Sequence, residues 1–315
     1  MEINDKAHNP HDAFFKEVMG RKETASDFFR NYLPREVLKL IDINSLQIMK
    51  DSFIEKELKR FYSDILYQVA IGNEKVYLYL LFEHQTTVDK LISFRLLRYM
   101  VKVWELEIKQ QPGLDMLPPI VPLLLYHGKE RWNISNRFNS IVLLGDKEEL
   151  KFYIPNFTYN LYDFSSYSSV QIKGEIILRV CLELFKHIFD NNLSQIEKTF
   201  SLLKSLSLKE RSALEFIEAM FRYLMSARED ATLQGLNEIV EKTISSKEVG
   251  GVIMTVAEQL IEKGREEGRE EGELIGSIKT IQMMKGLPVL DKKSLEKMSI
   301  GELEDLFKKV KGSKN

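Results

Sequence analysis

Cysteine is almost missing from this chain: its 315 residues include one, Cys181. An internal disulfide and a cysteine-built zinc site are therefore excluded. A reducing compartment suits such a chain, and the cytoplasm is the expected location. An excess of positive charge is missing as well. Lys and Arg number 45 against 47 Asp and Glu, a net charge of −2. Proteins that coat nucleic acid are usually basic, so any nucleic-acid contact must come from a local patch and weaken with salt. No apolar run approaches the length that crosses a bilayer, and no membrane partner is expected. The first residues, MEINDKAHNPHD, are polar and offer neither a secretory signal nor a transit peptide.

What is present is an ordinary globular composition, 44% hydrophobic and 29% charged. Residues 12–33 read as one or two helices, with Asp12 as N-cap and Phe28, Phe29, Tyr32 and Leu33 on the apolar face. Pro34 opens a short helical turn, and 45–54 (SLQIMKDSFI) is strand-like. Two runs follow that are rich in β-branched and aromatic residues, FYSDILYQVAI (61–71) and KVYLYLLFEHQ (75–85). The separator GNE is turn chemistry, so the pair reads as a β-hairpin. Residues 88–111 form a long helix on which Phe94, Leu97, Val101, Trp104 and Ile108 recur at helical spacing. PIVPLLLYHG (119–128) is a buried strand, and 157–164 is the best strand candidate before the mainly helical 171–260. The segment 262–276, EKGREEGREEGELIG, is low in complexity with glycines four apart. Glu262–Arg265 and Glu266–Arg269 are helical pairs. Each interior glycine weakens that helix by about 1 kcal/mol relative to alanine.

The hairpin carries the chemistry. With Asn73-Glu74 at the centre of its turn, Asp64 lies opposite Glu83. With Gly72-Asn73 there, Asp64 lies opposite Leu81 and diagonal to Glu83. In either register the strand period puts both carboxylates and Gln85 on one face and His84 on the other. Two carboxylates that close repel each other, and a divalent cation removes the penalty. Mg²⁺, or another divalent cation such as Mn²⁺ or Ca²⁺, prefers such oxygen ligands and can activate a water toward phosphate. The plain alternative is a pair of solvated strand ends. On the following helix Arg95, Arg98, Lys102, Glu105 and Lys109 share a face. That face could hold a phosphate backbone, or simply be the polar side of an amphipathic helix.

Four blocks, HDAFFKEV (11–18), YSDILYQV (62–69), YLLFEHQ (79–85) with KLISFRLLRYMVKVWE (90–105), and PIVPLLLYHG (119–128), occur in an order that resembles the bacterial recombination-promoting nucleases. This is the Rpn family, also catalogued as YhgA-like transposases of the PD-(D/E)XK nuclease superfamily. The glycine-spaced tail is similar too. The resemblance implies an α/β, restriction-endonuclease-like core, a mixed sheet flanked by helices, followed by a mainly helical C-terminal region. It implies metal-dependent cleavage of DNA, with Asp64 in the Asp slot, Glu83 first in the (D/E)XK slot, and Gln85 where lysine is usual. Glutamine removes a cation from beside the nucleophile, so Gln85 is expected to orient water or metal. Ser63 replaces a proline that supplies no chemistry. His11, Asp12, Lys16 and Glu17 of the first block are candidates for an accessory ligand or phosphate contact. His84 is expected to be structural.

The expected domains are a nuclease domain over 1–165, a helical region over 166–260, and a charged, glycine-spaced tail over 261–315 that is helical or disordered. The expected activity is a Mg²⁺-type DNA endonuclease with Asp64 and Glu83 on the metal and Arg95, Arg98 and Lys102 on the DNA backbone. A role in recombination or in conflict with mobile elements or phage would follow. A homodimer is expected, because cutting two strands is simplest with two sites. The alternatives are a catalytically weak or inactive DNA-binding protein on the same fold, and a transposase, for which a third acidic residue is lacking.

Overall fold

The structure, a computed structural model, describes residues 9–49, 65–72, 77–145, 147–206, 211–244, 247–295, 298 and 300–312. The chain divides into two compact units, one of His8–Gly250 and one that includes Gly251–Asn315.

The first unit begins with α1 (Pro10–Met19) and α2 (Lys22–Tyr32), so the expected 12–33 stretch is two helices. Asn9, not Asp12, is the N-cap. Its side chain accepts the N–H of His11, and Pro10 takes the first helical position, where no N–H is needed. Asp12 is thereby left to bond elsewhere. After the turn α3 (Arg35–Leu38) comes β1 (Ile41–Ile48), which starts earlier than expected. Residues 50–54 of the expected strand lie outside the described residues, as do 61–64.

β2 (Ile65–Ile71) and β3 (Tyr77–Gln85) pair antiparallel, Ile65 opposite Phe82 and Ala70 opposite Tyr77. This is the first of the two registers that the hairpin sequence allows. α4 (Ile92–Gln110) then crosses over to β4 (Ile120–Tyr126), parallel to β3, and β5 (Asn160–Asp163) lies parallel to β4. The sheet order is β1-β2-β3-β4-β5, antiparallel on one side of β3 and parallel on the other. This mixed five-stranded sheet flanked by helices is the nuclease-like α/β core that the sequence implies.

Helices cover both faces of the sheet, which is why β3 reads as a continuous apolar run, buried from Leu78 to His84. On one face Phe15, Phe28 and Phe29 of α1 and α2 meet Phe82 edge-on or tilted, and Phe29 meets Tyr67. Behind them lie α5 (Ile176–His187), α6 (Ser194–Phe200), α7 (Arg211–Ala227) and α8 (Leu233–Thr243). Phe14 stacks on Tyr223 of α7 at 4.4 Å, so α5 to α8 share one unit with the sheet. On the other face Ile92, Leu96, Tyr99 and Met100 of α4 pack on Leu66, Tyr79, Leu81 and Leu124. Of the residues read at helical spacing, Phe94 (48% exposed), Val101 (40%) and Ile108 (52%) face outward, Leu97 is half-buried, and Trp104 packs against the core. This helix carries two apolar stripes, and the sheet takes the one through Leu96.

The second unit has its own small core of Ile275, Ile278, Leu295 and Leu303, from α9 (Lys247–Met284), α10 (Lys292–Leu295) and α11 (Ile300–Gly312). The glycine-spaced segment lies inside α9. Arg265 pairs with Glu262 as expected, whereas Arg269 pairs forward with Glu273. No helix among the described residues is long and apolar enough to cross a membrane.

Candidate active site

The end of β3 sets two unlike environments one residue apart. Glu83 and Gln85 point toward α4, and His84 points toward α1, as the strand period requires. Glu83 is 1% exposed. Its Oε1 accepts two hydrogen bonds, from Gln85 Nε2 at 2.7 Å and from an Arg95 guanidinium nitrogen at 2.8 Å. Its Oε2 is buried and has no hydrogen-bond partner among the described residues. A buried charged oxygen left unsatisfied is among the more costly arrangements a fold can keep. The other Arg95 nitrogen meets Asp89 Oδ2 at 3.0 Å. Asp89 lies in the loop between β3 and α4, where its Oδ1 accepts the N–H of Leu91.

That loop runs close to the turn that follows β4. A Cβ on Gly128 would stand 2.4 Å from the carbonyl oxygen of Thr86 and 2.1 Å from the Tyr126 hydroxyl. The missing side chain lets the two strand ends approach at this edge of the sheet.

On the opposite face the HDAFFK block meets the EHQ block. His84 Nδ1 is 2.9 Å from Asp12 Oδ1, and its Nε2 is 2.7 Å from His127 Nε2. His11 Nδ1 bonds the Tyr223 hydroxyl at 2.8 Å. Phe15 stacks on His84, and Phe185 on His127. Burial, reinforced by His84, pushes His11 down to about 4, with Asp12 opposing. Burial, with His84 and His11 adding to it, also holds His127 well below the usual histidine value.

The residues expected at the site therefore divide. Glu83, Gln85 and Arg95 come together. Arg98 and Lys102 lie exposed on α4, Lys102 paired with Glu105 at 2.7 Å. Of the accessory candidates, Asp12 and His11 belong to the histidine cluster, Glu17 pairs with Arg222, and Lys16 is exposed. Asp64 lies outside the described residues; it precedes Ile65, the partner of Phe82. Asp89 and His127 went unremarked in sequence. The signal for His127 is that LYHG closes β4 much as EHQ closes β3, with a histidine at the end of a buried run.

The donor set suits a hard cation: an unsatisfied buried carboxylate oxygen beside a glutamine amide. Among the described residues no three His, Cys, Asp or Glu side chains form a metal-holding group, so Glu83 would need further oxygen ligands. Cys181 is buried and its thiol is pushed up by burial, which leaves it inert.

Residues 9–214 match the family model described as "Putative transposase, YhgA-like". The chain is 30% identical over 264 residues to the inactive recombination-promoting nuclease-like protein RpnE of Escherichia coli (strain K12), covering 82% of this chain and 83% of that one. It is 29% identical over 288 residues to the recombination-promoting nuclease RpnA of the same strain, covering 91% and 93%. It is 39% identical over 120 residues to the recombination-promoting nuclease RpnC, 38% of this chain and 39% of that one. No solved structure is a significant match.

Proposed function

The chain belongs to the YhgA-like transposase family, and from that premise we propose that it is a divalent-cation-dependent DNA endonuclease acting in recombination or in conflict with mobile elements or phage. The observation that carries this reading is the buried Oε2 of Glu83, which has no hydrogen-bond partner among the described residues. Glu83 and Asp64 would hold the cation, Mg²⁺ or another divalent ion such as Mn²⁺ or Ca²⁺. When bound, it would lower the pKa of a water and neutralise charge on phosphate. Gln85 keeps Glu83 turned toward the site through its amide and can orient a water or a phosphate oxygen with the same groups. Arg98 and Lys102 on exposed α4 would take the DNA backbone as point charges without reading sequence. Two copies acting together, in the cytoplasm, would cut both strands.

Asp64→Ala should abolish Mg²⁺-dependent nicking of supercoiled plasmid while its circular dichroism and melting stay those of the parent. Undiminished nicking by that variant would remove the assignment. A second reading is a non-catalytic DNA-binding protein on the same fold. Gln85 in the place of lysine and the similarity to a relative named inactive favour it. Calorimetry with Mn²⁺ separates the two, since heat of binding that disappears in Glu83→Ala is expected only of the nuclease. A transposase in the literal sense would show strand transfer of a labelled DNA end.

A further inference from the structure

We propose that Arg95 is the catalytic cation of this site and that Asp89 positions it. The inference rests on the nuclease reading above and adds to it the group that carries positive charge to the reacting phosphate. Glu83 divides its two oxygens. Gln85 and Arg95 both donate to Oε1, while Oε2 has no partner among the described residues. A cation taken by Oε2 need not displace Arg95, and the two positive charges would flank one carboxylate.

The fork of Arg95 is not spent on Glu83 alone. One nitrogen binds Glu83 and another binds Asp89, whose second oxygen is fixed by the backbone N–H of Leu91. Bonded to both a buried carboxylate and a loop carboxylate, Arg95 stands at the boundary of the site. It is 29% exposed where Glu83 is 1%. Gln85 brings no charge, so among the described residues Arg95 is the cation bonded to the candidate metal ligand. Its planar array of donors matches phosphate oxygens.

In hydrolysis the water oxygen bonds to phosphorus as the bond from phosphorus to one ester oxygen breaks. One water proton ends on the departing sugar oxygen, and the other stays with the new phosphate or passes to solvent. Charge gathers on the phosphate oxygens meanwhile, and a preorganised cation there stabilises the transition state.

The test compares Arg95→Gln, Arg95→Lys and Asp89→Asn in the full chain. Glutamine can still donate to Glu83 but has no charge, so the fold is kept while the cation is lost. Arg95→Gln should lower single-turnover plasmid nicking at saturating Mg²⁺ by roughly 100-fold, with Arg95→Lys recovering about tenfold of that loss. Mn²⁺ affinity by calorimetry should not fall in either, and circular dichroism should stay that of the parent. Asp89→Asn should lower the nicking rate at constant Mn²⁺ affinity, with less effect than Arg95→Gln. Wild-type nicking by Arg95→Gln would overturn the proposal. So would a loss of Mn²⁺ affinity parallel to the loss of rate, which would make Arg95 part of the metal scaffold. Asp64→Ala separates the two levels. If it nicks like the parent, the nuclease site itself is misplaced; if it is dead while Arg95→Gln is fully active, the Arg95 assignment alone fails.

Discussion

Glu83 and His84 are adjacent in sequence, yet one meets the Arg95 guanidinium and the other a cluster of histidine and phenylalanine rings. His11 and His127 are crowded with Phe185 and Phe189, where a charged imidazole is poorly solvated. The consequence is acid sensitivity. His11 titrates near 4 in the folded chain and near 6.5 when unfolded. Its folded value is depressed, so above pH 6.5 it exerts no penalty. As pH falls from 6.5 toward 4 the unfolded chain takes up a proton that the folded chain refuses. Stability lost in that window reaches at most about 3 kcal/mol for this one group. Urea midpoints at pH 7.5, 6, 5 and 4 should fall steeply in the parent and less steeply in His11→Gln, which keeps a polar group for Tyr223. Identical pH dependence in the two would show that His11 does not titrate this way. Strand alternation made much of this legible from sequence, since it separates Glu83 and Gln85 from His84. It could not show that His84 meets Asp12 and His127, because those contacts join residues 72 and 43 positions apart.

Helix α4 is where element-level reading from sequence reached its limit. Its existence and extent follow from periodicity, 88–111 expected and Ile92–Gln110 observed. Its rotation does not, because Ile92, Leu96, Tyr99, Met100 and Val103 recur at helical spacing as well as Phe94, Leu97, Val101, Trp104 and Ile108. Periodicity cannot rank two stripes of the same period; only the sheet beneath decides. The choice matters for function, since the observed rotation turns Arg95 out of the exposed charged face and onto Glu83. Arg98 and Lys102 stay outside. Two alanine substitutions test it. Leu96 is fully buried, and Leu96→Ala should destabilise the fold by about 2–5 kcal/mol in urea titrations. Phe94→Ala, despite the larger side chain removed, should stay within about 1 kcal/mol of the parent, as exposed positions do. A greater loss from Phe94→Ala than from Leu96→Ala would mean that the helix is turned the other way.

The whole chain divides where periodicity gives no hint, inside a continuous helix: α9 begins at Lys247, and the compact units part between Gly250 and Gly251. The sheet, the histidine cluster and the Glu83–Arg95–Asp89 network all belong to the first unit, whose core is supplied by strands and helices between Phe14 and Val240. The second unit closes its own core around Ile278 and Leu303. The residues named in the candidate chemistry all precede 250, and α9 has glycines at 268, 272 and 276 with open space where a Cβ would stand. The charged segment of α9 would then seat the proposed pairing of two copies. A chain ended after Gly250 should therefore unfold cooperatively and bind Mn²⁺ with the affinity of the full chain. It should sediment as a monomer under conditions where the full chain is a dimer. Single-strand nicking should survive the truncation, while cutting of both strands at one place should be lost, because one site addresses one strand at a time. A truncated chain that remains dimeric would move the pairing surface to the first unit, and one that loses Mn²⁺ binding would show that the metal site depends on residues after 250.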